Sequence, residues 1–256
     1  MRIFSHTCSN TEIVCALGCG GALVGVDADS DYPPEIVRPL PHPGRDLDLD
    51  VVAVRALKPD LVLTSLTVPG HERVVAALQA AGLRTLVCDP RSLADVFGDI
   101  RRIGAALDVP ERSTKLVQEM EHAMPQVEPG AVRPRILVEW WPKPVIVPAR
   151  QSWVTDIITR AGGVNPWGEV DAKSLQLKDA DVVTAAPDAV VMSWCGVPVE
   201  NYRADIVCRR PGWQAVPAVA AKRIHAVSEA FLGRPGPRLV EGYRRLRDII
   251  AAVQGT

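Results

Sequence analysis

Apolar and polar positions along this chain alternate between two periods. Short apolar runs, RIFS (2–5), ALVGV (22–26), LVLT (61–64) and RTLVCD (84–89), read as strands. Between them, SNTEIVCALG (9–18), LDLDVVAVRALKPD (47–60, ending before Pro59) and HERVVAALQAAG (71–82) carry apolar residues at helical spacing. Ser9 and Glu12 stand at capping-box spacing, and Gly18 and Gly82 are the expected helix stops. DADSDYPPE (27–35) reads as a loop. Two amphipathic helices follow, over 92–107 and, behind Pro110, over 111–124. PQVEPGAVRP (125–134) is the strongest linker candidate, and beyond it the pattern restarts. Strands RILVEW (135–140), DAVVMS (188–193) and RIHAVS (223–228) alternate with helices over 153–163, 177–186, 200–210 and about 238–253. Strands interleaved with helices predict an α/β fold with parallel sheets covered on both faces.

One phrase occurs twice. LKPDLVLTS (57–65) returns as AAPDAVVMS (185–193), so Pro59 and Asp60 correspond to Pro187 and Asp188. Proline suits a helix boundary, aspartate the turn, and the apolar run a strand buried on both faces. TEIVCALG (11–18) is echoed in the same order by TDIITRAG (155–162). Two ordered echoes predict two similar α/β lobes. Seven residues beyond Ser65 and Ser193 lie Glu72 and Glu200, each expected to open a helix, where a carboxylate meets the positive end of the helix dipole.

In such sheets, function gathers in the loops beyond the strand C-termini. Aromatic residues make up only 5% of the chain, yet Tyr32, Trp140, Trp141, Trp194 and Phe231 all fall in those loops. That placement suggests an aromatic-lined cleft for a large, flat, partly apolar ligand. A formal net charge of −1 gives no electrostatic case for nucleic acid, and no apolar run is long enough for membrane insertion. The six cysteines form no close CxxC pair and read as buried free thiols. The N-terminus MRIFSHTCSNTE holds no apolar stretch of signal-peptide length. As it stands the chain is expected in the cytoplasm, or in the periplasm if an export signal lies outside it.

SNTE, DYPP, PDLVL, AGG and RPGPR, in this order over nearly the whole chain, resemble the cobalamin and ferric-siderophore substrate-binding proteins of ABC importers, the clamp-type periplasmic binding proteins. The resemblance implies two Rossmann-like lobes joined by a long connecting helix, with the ligand cleft between them: an N-terminal lobe over 1–107, a helix and linker over 108–132, and a C-terminal lobe over 133–256. It implies cobalamin or a related corrinoid as ligand, contacted by Tyr32, Leu66, Trp140, Trp141, Trp194, Phe231 and Arg234. Leu66 stands where the family usually has an aromatic. Glu72 and Glu200 would dock each lobe onto an ABC permease, and a monomer without catalytic cofactor is expected. The alternatives are a ferric-siderophore, haem or metal-ion binder of the same fold, or a cytoplasmic tetrapyrrole-handling enzyme or chaperone.

Other chemistry has thin support. GxGxxG is absent after the first strand, and the chain lacks a P-loop, GxSxG and HExxH. His6 and His71, near strand ends, are the candidates for a metal ligand or for one histidine on a corrin cobalt.

Overall fold

In the computed structural model of the chain, residues 1–128 and 133–255 are described. They form two compact units, one of residues 1–90 and 95–119, the other of residues 91–94 and from 120 onward. Part of the 125–134 linker segment lies outside the described residues.

The first unit runs β1 (Ile3–Ser5), α1 (Cys8–Ala16), β2 (Leu23–Val26), α2 (Pro34–Val37), β3 (Gly44–Arg45), β4 (Asp48–Leu49), α3 (Val51–Ala56), β5 (Leu61–Ser65), α4 (His71–Ala80), β6 (Thr85–Cys88), and most of α5 (Leu93–Ala106) and α6 (Pro110–Ala123), whose residues 93–94 and 120–123 belong to the other unit. Its sheet has the order β2-β1-β5-β6, and every pairing is parallel. β1 and β5 are buried along their whole length, as continuous apolar runs require. Phe4, Val54, Val62, Val74 and Leu78 pack between sheet and helices.

The second unit contains β7 (Ile136–Glu139), β8 (Trp141–Pro142), β9 (Val145–Pro148), α7 (Trp153–Arg160), β10 (Ser174–Leu177), α8 (Asp179–Ala185), β11 (Ala189–Met192), α9 (Ala204–Cys208), α10 (Pro217–Ala220), β12 (Ile224–Ala226), α11 (Glu229–Leu232) and α12 (Leu239–Gln254). Its parallel sheet has the order β12-β11-β7, and an antiparallel sheet β10-β9-β8 accompanies it. The expected α/β fold with parallel sheets is therefore present in both units.

The repeated Pro-Asp phrase does the same work twice. Asp60 accepts the backbone N–H of Arg2 at 2.6 Å and returns its own N–H to the Arg2 carbonyl at 2.8 Å. Asp188 accepts the N–H of Arg135 at 2.7 Å and returns its N–H to the Arg135 carbonyl at 2.8 Å. Each pair of bonds fixes how the phrase's own strand enters beside its neighbour, β5 beside β1 and β11 beside β7.

Several local expectations change. Ser9 does not cap α1: the helix starts behind Thr7, and Ser9 and Glu12 are buried inside it. The helix expected over 47–58 is shorter. Asp48 and Leu49 pair as a strand, and Asp50 caps α3 by accepting the Ala53 N–H at 2.9 Å. Asp108, at φ 60°, separates α5 from α6. The segment 200–210 is not one helix, because Tyr202 turns into the core and leaves a 3₁₀ turn over Val199–Asn201 ahead of α9. All six cysteines are free thiols, but Cys195 is exposed and only Cys88 is fully buried.

Candidate functional site

The first unit presents the loops after β1, β2 and β5. After β1 the chain turns through Thr7 at φ 84°, a strained conformation for a β-branched residue. Asp27 holds it there, accepting the Thr7 N–H at 2.7 Å. The loop after β2 carries Tyr32, 45% exposed. Leu66 continues the β5–β6 pairing by donating its N–H to the Cys88 carbonyl at 2.9 Å, and its side chain is half-buried. Glu72 lies exposed in the first turn of α4, where its Oε2 accepts the Gly70 N–H at 2.9 Å.

His6 and His71 are both buried, with ring centroids 5.1 Å apart in an edge-to-face arrangement. Both nitrogens of His6 are engaged, Nδ1 with Thr64 Oγ1 at 2.7 Å and Nε2 with the Asp46 carbonyl at 2.7 Å. His71 Nε2 lies 3.3 Å from Asp46 Oδ2 and its Nδ1 3.4 Å from Ser65 Oγ. Burial, with the neighbouring His71 adding to it, pulls the His6 pKa down to about 4, so the ring is neutral at pH 7. The hydrogen bond from His71 lowers the pKa of Asp46. Among the described residues no cluster of three or more His, Cys, Asp or Glu side chains is arranged to hold a metal ion.

In the second unit the loops after β7 and β11 carry the tryptophans. Trp141 sits on the β8–β9 hairpin, 40% exposed, with its indole N–H on the Lys143 carbonyl at 3.1 Å. Trp140 is half-buried against Trp153, with ring centroids 6.1 Å apart. Its indole nitrogen and the buried Ser193 hydroxyl have no partner among the described residues. Trp194 is only 3% exposed: it packs on Tyr202 at 5.1 Å and donates its indole N–H to Glu139 Oε1 at 2.8 Å. Phe231, on α11, lies under the Arg238 guanidinium at 5.7 Å. Arg234 is half-buried and donates to Glu229 Oε1 from Nε at 3.0 Å and Nη2 at 2.7 Å. Glu200 is exposed in the 3₁₀ turn and does not open an α-helix.

Among the described residues, Tyr32 and Trp141 are the only exposed aromatic side chains. The sequence pattern puts all five loop aromatics on one footing. The structure separates them into two exposed faces and three side chains committed in part or whole to packing.

Sequence reasoning missed the centre of the second unit, the Glu139–Arg210 pair. The glutamate is fully buried at the end of β7, and Arg210 bonds to it at 2.5 and 2.9 Å. The available signal was an acid closing the apolar run ILVE, because a charge at the end of a fully buried strand demands a partner.

The chain belongs to the periplasmic binding protein family, whose model matches residues 3–230. Proteins of this family bind solutes and are not enzymes, and the chain is a non-catalytic binder of that kind. It is 29% identical over 97% of its length to an uncharacterized ABC transporter substrate-binding lipoprotein, YvrC, of Bacillus subtilis, 79% of which is covered. A vitamin B12-binding protein of Yersinia pestis is 24% identical over 98% of the chain and 87% of its own length. Among solved structures, the periplasmic heme-binding protein RhuT of Roseiflexus sp. RS-1 matches with a TM-score of 0.83 and 27% identity over 98% of both chains.

Proposed function

We propose that this protein is the substrate-binding component of an ABC-type importer and that its ligand is cobalamin or a related corrinoid. The observation that carries the ligand reading is the pair of exposed aromatic faces, Tyr32 in the loop after β2 of one unit and Trp141 on the β8–β9 hairpin of the other. A flat, partly apolar ligand that covers an exposed aromatic ring removes apolar surface from water, which favours binding. We assign both rings, with Phe231 and Leu66, to ligand contact, and Trp194 to the wall behind Trp141's hairpin.

Charge favours a corrinoid over haem. Arg234 is already matched by Glu229, which suits a ligand bearing amides better than one bearing two carboxylates. His6 and His71 have their ring nitrogens occupied and buried, so neither is offered to the metal of a bound ligand. The similarity to the Roseiflexus protein keeps haem as the second reading. In the importer, the exposed Glu72 and Glu200 are the acids offered to a permease. The place of action is outside the cytoplasmic membrane. No helix among the described residues is long and apolar enough to cross it.

The test is a titration with cyanocobalamin, followed by tryptophan fluorescence and the corrin absorption bands. Saturable one-to-one quenching is expected, with unchanged corrin bands because no histidine replaces a cobalt ligand. Tyr32→Ala and Trp141→Ala should each weaken binding by about tenfold, the usual scale for an aromatic anchor. No response to cyanocobalamin or dicyanocobinamide, with saturable uptake of haemin, would replace this reading by the haem one.

A further inference from the structure

Burying an ion pair is a costly way to hold a fold together, since desolvation offsets most of the attraction and well-packed apolar residues of similar volume do as well or better. Glu139 and Arg210 nevertheless form such a pair, with side chains 0% and 9% exposed. What distinguishes it is where its remaining hydrogen bonds go. Glu139 Oε1, which already accepts from Arg210 Nη2, also accepts the Trp194 indole N–H at 2.8 Å. Arg210 Nη2 donates to the Pro142 carbonyl at 2.9 Å, and the guanidinium lies 4.5 Å from the centre of the Trp213 ring. One buried pair therefore ties together three separate segments: the hairpin bearing Trp141, the loop opening with Trp194, and the turn over 209–213.

We propose that Glu139 and Arg210 are positioning residues for ligand binding. They set the β8–β9 hairpin and the 194–198 loop in their binding geometry without touching the ligand. The ligand half of this statement rests on the corrinoid reading above; the positioning half does not. The geometry argues for it directly. Glu139 Oε1 and Arg210 Nη2, besides bonding each other, each reach a segment at the strand C-termini, Trp194 and Pro142. The Pro142 carbonyl is one residue from Trp141, on a strand only two residues long. So short a strand has little register of its own, and an anchor at its carbonyl decides where the exposed indole points.

The experiment replaces the pair by apolar side chains in the full chain, Glu139→Leu with Arg210→Met. Amide hydrogen exchange is then compared with the wild type at 140–144 and 194–198 and in the central strands β7 and β11. Exchange in the two loops should rise at least tenfold while the central strands keep wild-type protection, and affinity for cyanocobalamin should fall at least tenfold. Wild-type exchange in both loops together with wild-type affinity would overturn the proposal. Should the double variant lose its cooperative unfolding transition, 3-benzothienylalanine in place of Trp194 decides, because it keeps the bicyclic ring packed on Tyr202 and removes only the N–H link to Glu139. Faster exchange confined to 194–198 supports the proposal, and an unchanged loop overturns it. Should the wild type take up none of cyanocobalamin, dicyanocobinamide and haemin, the ligand reading fails. The exchange at 140–144 then still settles whether the pair positions the hairpin.

Discussion

The two units build their sheets by one plan and finish them differently. In the first, the strand ends β1 and β5 are closed by His6, Thr64, Ser65, His71 and Asp46, with a neutral His6 at the centre. In the second, the equivalent ends of β7 and β11 are closed by the Glu139–Arg210 ion pair with Trp194 bonded to it. The order β1-β5-β6 is matched by β7-β11-β12. What stands beside them differs. β2 pairs with β1 over three residues, whereas the matching position next to β7 holds a single bridge, Arg135 with Val164. The second unit instead inserts the β8–β9 hairpin directly after β7. The shared part is the strand entry, and the variable part is the strand exit, where the candidate ligand residues lie.

The largest effect that would sharpen this comparison comes from breaking the ion pair on one side. Arg210→Ala leaves Glu139 buried without its cation and should cost about 3–5 kcal/mol of unfolding free energy in a denaturant titration. A loss under about 1 kcal/mol would mean that water reaches Glu139 and that the two closures are less different than they look.

The next effect belongs to the neutral closure and is seen in pH. The folded pKa of His6, about 4, lies below its unfolded value of about 6.5. The unfolded chain therefore binds the proton more readily. The contribution of His6 is complete above pH 6.5 and lost progressively as pH falls to 4, about 3 kcal/mol in all. The lowered pKa of Asp46 adds loss at still lower pH, while Asp27 and Asp99, both raised by burial, act in the opposite sense. Measuring wild type against His6→Asn removes these common contributions. The difference in stability between the two should shrink across that window, and a constant difference would show that His6 titrates normally.

The smallest effect tests what the units share. Asp60→Ala removes a charge-assisted bond to a backbone N–H, and Asp188→Ala removes the same bond together with a longer contact to Arg135 Nε at 3.5 Å; each should cost about 1–2 kcal/mol. The two losses should agree to within about 1 kcal/mol. A larger gap would mean that the repeat is geometric only.

The legible and illegible parts of the chain divide along the same line. The Pro-Asp echo could be read because it is contiguous and its bonds are made by the backbone of a neighbouring strand, a constraint any side chain there must satisfy. The hairpin was hidden: WWPKPV contains two prolines and reads as a turn, and β8 is too short to alternate. Trp194 looked like Trp141 because both follow strands. What buries it is Tyr202 and the Glu139–Arg210 pair, and Arg210 stands 71 residues from its glutamate. No local pattern carries a partner over that separation. Glu72 and Glu200 looked equivalent by spacing, yet only Glu72 opens an α-helix, since helix continuity after 200 depends on where Tyr202 packs.

The paired aspartate clamps at Arg2 and Arg135 have a consequence for how such a molecule can change over generations. With register fixed where strands enter the sheet, segments spliced onto the far ends cannot slide the strands they are attached to. Loops there can lengthen, acquire a hairpin or trade one aromatic for another while the scaffold stays in step. The 140–145 segment, which follows β7 directly, stands at such a far end.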